Sequence, residues 1–335
     1  MRVRWQDVNA QIVQRFNEIG LATDEAEVLA QQLEDSERRG KRSHGYQRFK
    51  MLWDWQSRVV LRQIQIQQLT SSVLHLDGGN HPGTSIAQKA ASHLQCSVRR
   101  NGVCLAAAHS CGPTGQLGFF LRPLAQAGLA SIMSASTLPL CAPMGGAEAV
   151  LGTNPIAIAL PGQGKGAPPI VFDASTAETT LGAIQVALRR GDAIPPNVLL
   201  RNGRPVILPS DHRLSGMAFL LEILSGLISG ARVGRIGEPT NLGFWMLVFD
   251  PRLLISQLDY ENGLEGFLKD VSASEPLAGQ RIRIPGEASE RNFVASLSEA
   301  YVDLADSVAG EIFTSTFAAE SSNTLPIGVE NSKTL

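Results

Sequence analysis

Hydrophobic residues recur at spacings of three and four over residues 4–20. Trp5, Val8, Ile12, Val13, Phe16 and Ile19 there form one stripe of an amphipathic helix. Thr23 reads as the N-cap of a second helix reaching about residue 38, with Asp24, Glu25 and Glu27 at its positive end. A third helical run starts at 42 and continues through Met51, Leu52 and Trp53. Beyond residue 70 the pattern changes to short apolar runs separated by turns. Strands at 72–76, 102–108, 129–134, 155–160, 169–172 and 245–249 alternate with helices near 84–99, 119–128 and 177–190, a mixed α/β layer. Helical periodicity returns from 252, and the polar stretch 319–335 reads as a frayed tail. The expected organisation is a helical domain from 1–70 plus 252–335, and a central α/β domain over 71–251.

Composition sharpens this picture. Of 335 residues, 44% are hydrophobic and 18% charged, the balance of a globular protein with a sizeable core rather than a disordered one. The longest apolar stretch, 217–228, is interrupted by Glu222 and too short for a membrane span, so it is expected as a buried helix. A net charge of −2 argues against a nucleic-acid partner, including for the basic segment 38–50. Cysteines at 96, 104, 111 and 141 form no C-x-x-C and match no zinc spacing. No metal is expected, and free thiols without a signal-like N-terminus point to the cytoplasm.

Several constellations carry possible chemistry, each with a plainer alternative. In R-S-H-G-Y-Q-R-F-K (42–50), His44 and Arg48 stand four apart, the spacing that puts two side chains on one helical face. A guanidinium there grips a carboxylate while an imidazole passes a proton to a group beside that carboxylate. A capping serine with surface charges explains the same letters. Gly112, Gly115 and Gly118 do not make G-x-G-x-x-G, and no acidic residue follows at ribose distance, so turn glycines account for them. Gly145-Gly146 and Gly152-Thr153-Asn154-Pro155 read as turn chemistry. Asp173-Ala174-Ser175-Thr176 follows an apolar strand, where either a ligand group or the cap of helix 177–190 is at home. Arg38, Arg39, Lys41 and Arg42 read as a solvated helix end.

Taken in order, R-S-H-G-Y-Q-R-F (42–49), P-M-G-G-A-E-A-V-L-G-T-N-P (143–155), V-F-D-A-S-T (171–176), R-R-G-D-A-I-P (189–195) and L-P-S-D-H-R-L-S-G-M-A-F-L-L-E-I-L-S-G (208–226) resemble the malate/L-lactate/L-sulfolactate dehydrogenase family. Its relatives include ureidoglycolate dehydrogenase and Δ1-piperideine-2-carboxylate reductase. W-M-L-V-F-D-P (245–251) and I-P-G-E (284–287) extend the likeness over nearly the whole chain. The resemblance implies a non-Rossmann NAD(P)-binding fold, a homodimer, and an NAD- or NADP-dependent oxidoreductase acting at C2 of a small 2-oxo or 2-hydroxy carboxylic acid. Reduction of cyclic imino acids is the close variant. It also implies Ser43 and His44 as a catalytic pair, Asp173 as support for the histidine, and Arg48 with Thr153 on the substrate. Gly145, Gly146, Gly152, Asn154, Ser175 and Arg213 fall on the cofactor side. Three departures stand out. Ser110 or Pro113 occupies the place of a second histidine, with His109 nearby; Gly182-Ala183 replaces Gly-Lys; and Arg213 replaces a lysine. They make a nucleotide-binding relative without turnover the competing class.

Overall fold

The computed structural model describes residues 1–164, 166–190 and 192–314, apart from the side chains of 185, 186 and 188–190. The tail expected at 319–335 lies outside the described residues. A short strand β1 (Arg2–Arg4) leads into α1 (Trp5–Glu18) and α2 (Thr23–Arg38), and α3 (Phe49–Gln56) follows two tight turns. Their apolar stripes meet in one cluster around Val8, Ile12, Phe16, Leu29, Leu33, Tyr46 and Phe49. Thr23 does not cap α2: it is the first helical residue, and no side chain bonds the free amides there. Asp24 and Glu25 in the first turn still oppose the positive end of the helix.

The central layer is a seven-stranded sheet. In chain order it comprises β2 (Gln65–Thr70), β3 (Val73–Asp77), β4 (Val103–Cys111), β5 (Ala130–Ala135), β6 (Ile156–Leu160), β7 (Ile170–Ala174) and, later, β10 (Leu242–Phe249). The spatial order is β2-β3-β4-β10-β5-β6-β7, with only β3 and β4 parallel. The strand of this sheet that comes last in the chain therefore sits in its middle. Alternation along it sends Phe244, Met246 and Val248 into the core. There they meet α4 (Gly83–Asn101) and α5 (Gly118–Gln126) through Ile86, Leu94, Phe120 and Leu121. On the opposite face, Ser134 accepts from Ser225 Oγ at 3.0 Å.

Between β7 and β10 lie α6 (Leu181–Arg190), the hairpin β8 (Val198–Arg201) and β9 (Arg204–Ile207), and α7 (His212–Glu222), which widens into a π-turn at Ile223–Ile228. The apolar stretch expected as a buried helix is half surface. Ala218 and Leu221 are buried, while Phe219, Leu220, Leu227 and Ile228 are exposed. The chain ends with α8 (Gln257–Ala273), α9 (Glu287–Ser296), β11 (Tyr301–Asp303) and α10 (Asp306–Phe313). β11 pairs antiparallel with β1, and α10 adds Val308 and Ile312 to the N-terminal cluster. α9 is tied to α2 by the Arg39–Glu290 ion pair at 2.7 Å, whereas α8 buries no residue.

Among the ion pairs that join the two layers is His81 with Glu25. His81 Nδ1 lies 2.8 Å from Glu25 Oε2, and its Nε2 lies 3.0 Å from the carbonyl oxygen of Arg62. Two acceptors need two donors, so the imidazolium fits and the neutral ring leaves one acceptor unpaired. The Glu25 hydrogen bond accordingly holds the His81 pKa above its ordinary value. A pKa raised on folding stabilises fully below the unfolded value of about 6.5, and that stability is lost as pH rises through the folded value. Urea midpoints at mildly acidic and mildly alkaline pH check this. The His81→Gln protein loses less stability than the parent as pH rises, and equal losses would sink the assignment.

Candidate active site

The site begins where α2 stops. Gly40 adopts φ +75°, the amide of Gly40 donates to Glu37 O at 2.9 Å, and that of Lys41 donates to Ser36 O at 2.8 Å. This is a Schellman ending, which glycine permits because it carries no Cβ. The chain then makes two 3-10 turns, Arg42–His44 and Tyr46–Arg48, separated by Gly45. The helix expected to run unbroken from 42 therefore starts only at Phe49, so His44 and Arg48 do not share a helical face. Gly45 explains the break. A Cβ at this position would run into the Glu37 carboxylate, which accepts from the amide of Tyr46 at 3.3 Å. Burial pushes the Glu37 pKa up, and a carboxylate moved aside gives up its bond to the Tyr46 amide. Gly45→Ala is expected to destabilise by about 1–3 kcal/mol, the usual cost of overpacking. It also lowers turnover by displacing His44. Urea denaturation together with steady-state rates checks both halves.

His44 and Arg48 nevertheless act on each other. The His44 pKa is depressed to about 3, first by burial and then by the Arg48 charge; Lys41 adds to the depression and Asp173 opposes it. Ser43 Oγ lies 3.2 Å from His44 Nδ1. Arg48 is half-buried, and burial alone lowers its pKa to about 10. No carboxylate among the described residues pairs with it. A desolvated guanidinium with five donors and no acceptor is a ready seat for an external carboxylate.

Asp173, near the end of β7, is held from two sides. Its Oδ2 accepts from the Gly118 amide at the start of α5 at 3.0 Å and from Lys41 Nζ at 3.1 Å. No hydrogen bond to His44 forms, so Asp173 meets the histidine through space rather than by contact. Lys41 is the residue that sequence reasoning missed, having been read as part of a solvated helix end. Three of that cluster's four cations are engaged internally: Arg38 with Glu34, Arg39 with Asp35 and Glu290, and Lys41 with Asp173. Only Arg42 is largely solvated.

The Gly152–Pro155 turn is positioned from behind. Glu222 is buried, and its Oε2 accepts from the Gly152 amide at 2.9 Å and from Asn154 Nδ2 at 2.6 Å. Asn154 is wholly buried, and its Nδ2 donates to Glu222 and to Ala218 O, which shapes the turn. Thr153 instead presents its hydroxyl 3.2 Å from Thr137 Oγ1. Its carbonyl accepts from Ser175 Oγ at 3.0 Å and from Thr176 Oγ1 at 2.9 Å. Those two hydroxyls brace β7 against this turn, Ser175 Oγ also accepts from the Ala177 amide at 3.0 Å, and α6 starts only at Leu181.

Other expected residues lie apart. Gly145, at φ +79°, and Gly146 form an exposed turn in which the Met144 amide donates to Ser215 Oγ at 3.1 Å. Arg213 is exposed on α7 and paired with its own Asp211 at 2.8 Å. His109 stacks on His75 with ring centroids 5.1 Å apart, and its Nδ1 lies 3.0 Å from Ser110 Oγ. The charges that reach it are Asp77, His75 and Arg62, none of them from the His44 site.

A cavity of about 580 Å³ opens beside Lys41 and Asp173, between β7 and the segment 281–291. Its size falls in the range of small-molecule sites, about 300–1,000 Å³. Arg39, Arg122, Arg281, Arg283 and Arg291 also line it, a set of donors suited to an anionic ligand. Among the described residues no helix is long and apolar enough to cross a membrane, and no cluster of histidine, cysteine or carboxylate side chains could hold a metal.

The malate/L-lactate dehydrogenase family matches residues 3–312. The chain is 26% identical to the ureidoglycolate dehydrogenase (NAD(+)) of Escherichia coli O157:H7, covering 86% of this chain and 88% of that protein. It is 28% identical to the (2R)-3-sulfolactate dehydrogenase (NADP(+)) of Chromohalobacter salexigens, covering 85% and 91%. In fold it is similar to malate dehydrogenase from Entamoeba histolytica, with a TM-score of 0.84 at 19% identity over 93% and 96% of the two chains. A desolvated arginine, a neutral histidine and a basic cavity thus stand in a chain that belongs to the malate/L-lactate dehydrogenase family, whose members are NAD- or NADP-dependent oxidoreductases.

Proposed function

We propose that the protein interconverts a small 2-hydroxy acid and its 2-oxo acid, with His44 moving the proton and Arg48 holding the carboxylate. The observation that carries this reading is Arg48, a desolvated guanidinium without an internal partner beside a histidine held neutral. A neutral imidazole is the form that removes a proton from the hydroxyl of a 2-hydroxy acid. In the reverse direction the same ring, once protonated, returns the proton to the developing alkoxide. Binding of a carboxylate on Arg48 cancels one of the charges that depress His44, so the imidazole gains basicity when substrate arrives. Proton transfer is thereby coupled to occupancy of the carboxylate seat. Ser43 orients the ring through Nδ1, and Asp173, fixed by Lys41 and the Gly118 amide, supplies the opposing negative charge.

The residues present fit a nicotinamide dinucleotide. The basic cavity beside Asp173 suits its phosphates, and the braced Thr153 turn lies next to the same strand end. Bound there, the cofactor supplies or accepts the hydride at C2. We read this cofactor site as lying outside the Rossmann arrangement, since the Gly112–Gly118 loop serves Asp173 and the α2 side chains. Gln32 Nε2 donates to Thr114 O at 3.1 Å, and the Gly118 amide is spent on Asp173. The helical and α/β layers form two domains on this reading, with the site between them. Exposed apolar side chains on α7, its π-turn and α8, including Phe219, Ile228, Leu258 and Phe267, support a homodimer. Four free cysteines fit the cytoplasm.

The test is a panel of 2-oxo acids and cyclic imines assayed for NADH and NADPH oxidation. Turnover of 2-oxo acids, and loss of it when the carboxylate is esterified, is the expected result. Turnover confined to cyclic imines would overturn the oxo-acid reading.

A further inference from the structure

We infer that the outer wall of the basic cavity is a clamp for a phosphate monoester, and that it selects the 2′-phosphorylated form of the dinucleotide. The inference rests on the cofactor reading above and names the member of the pair that this chain takes. The cavity's cations fall into two groups. The inner ones are already matched: Arg39 pairs with Asp35 and Glu290, Arg122 with Asp35, and Lys41 with Asp173. The outer ones are not. Arg281 and Arg291 share a single carboxylate oxygen, Glu287 Oε1, at 3.1 and 3.2 Å. Arg283 has no partner among the described residues.

Three guanidinium groups thus face one carboxylate, a surplus of two positive charges on one rim. A phosphate monoester carries about −1.5 to −2 at neutral pH and offers three acceptor oxygens, which matches that surplus in sign and size. Arginine forks bind such a group bidentately, and an arginine beside the ribose is the general physical solution for a 2′-phosphate. The substrate carboxylate does not compete for this rim, because Arg48 is not part of the cavity lining. The pyrophosphate is common to both cofactors and gives no preference between them.

The rim is also held in place. Gly286, at φ +87°, lies against the backbone of β7, where a Cβ would come within 2.9 Å of Val171 O. This close approach fixes the segment 281–286 over the strand. α9 then starts at Glu287, so Ala288 and Ser289 of its first turn line the same space. Free amides at a helix start add to the attraction for an anion.

The probes are 5′-AMP and 2′,5′-ADP, which differ only in the 2′-phosphate, titrated calorimetrically into the full-length protein. The expected result is affinity for 2′,5′-ADP about tenfold or more above that for 5′-AMP, as charge-assisted bidentate contacts give. In the Arg281→Ala/Arg283→Ala protein that ratio falls to about twofold or less. Arg283 pairs with no described residue, and Arg291 still holds Glu287, so an unchanged melting temperature confirms that the variant is folded. Equal affinities in the parent protein overturn the clamp but leave the cofactor reading standing. Failure of both nucleotides to bind overturns both readings. A preference that survives in the folded double variant puts the phosphate elsewhere and overturns the assignment to these arginines.

Discussion

Replacing His44 with alanine lowers kcat by about 10²- to 10⁴-fold for every accepted 2-oxo acid, the usual contribution of a positioned proton donor. KM changes little, because the carboxylate seat on Arg48 is untouched and that interaction is made equally in the ground and transition states. The fold survives as well. Among hydrogen bonds, His44 has a single side-chain neighbour, Ser43 Oγ, so its removal leaves no buried network broken. An independent sign accompanies the kinetic one. A histidine whose pKa is depressed to about 3 on folding is charged in the unfolded chain alone once pH falls below about 6.5. The parent protein therefore loses stability on acidification that the His44→Ala protein keeps. Measuring rates and urea midpoints on the same preparations separates the outcomes. Full turnover with alanine at 44 would end the proposed role, whereas a collapsed fold would show that the residue is structural.

What the sequence revealed of this site, and what it hid, follows from the range of the interactions involved. Short-range periodicity placed α1, α2, α4 and β10 well, since each buries a stripe or alternate face that its own residues announce. It missed β2, whose six residues are all exposed on the sheet edge and mostly polar, so no apolar alternation marks them. It missed the hairpin of β8 and β9 as well, two strands of four residues each, in the first of which Leu199, Leu200 and Arg201 face solvent. At the active site the letters of the Ser43–Arg48 motif were legible, and their geometry was not. The unbroken helix fails at Gly45, whose ψ of −150° is extended, and the Glu37 carboxylate fills the space a side chain there would take, which spacing alone does not disclose. Lys41 and Asp173 are 132 residues apart, and only the sheet brings β7 to the end of α2. Asn154 adds a contact of the same kind, since its Nδ2 donates to the buried Glu222, 68 residues away.

Arg48→Leu raises KM for 2-oxo acids by about 10- to 100-fold, since a hydrogen bond to a charged partner is worth about 1.5–3 kcal/mol. Leucine keeps the volume and removes the fork, and lysine restores only part of the loss because it offers a point charge in place of bidentate geometry. The same change acts on His44. Arg48 is the second cause of the depressed imidazole, after burial, so its removal raises the His44 pKa in the unliganded protein. The parent protein reaches the same state when a substrate carboxylate neutralises Arg48, which makes the variant a partial mimic of the occupied site. Proton NMR titration of the imidazole reads this directly. A midpoint that moves up in Arg48→Leu, and up in the parent on adding a non-reactive carboxylate such as oxamate, establishes the coupling between carboxylate seat and proton. A midpoint indifferent to both would separate the two residues and leave Arg48 as an isolated buried charge.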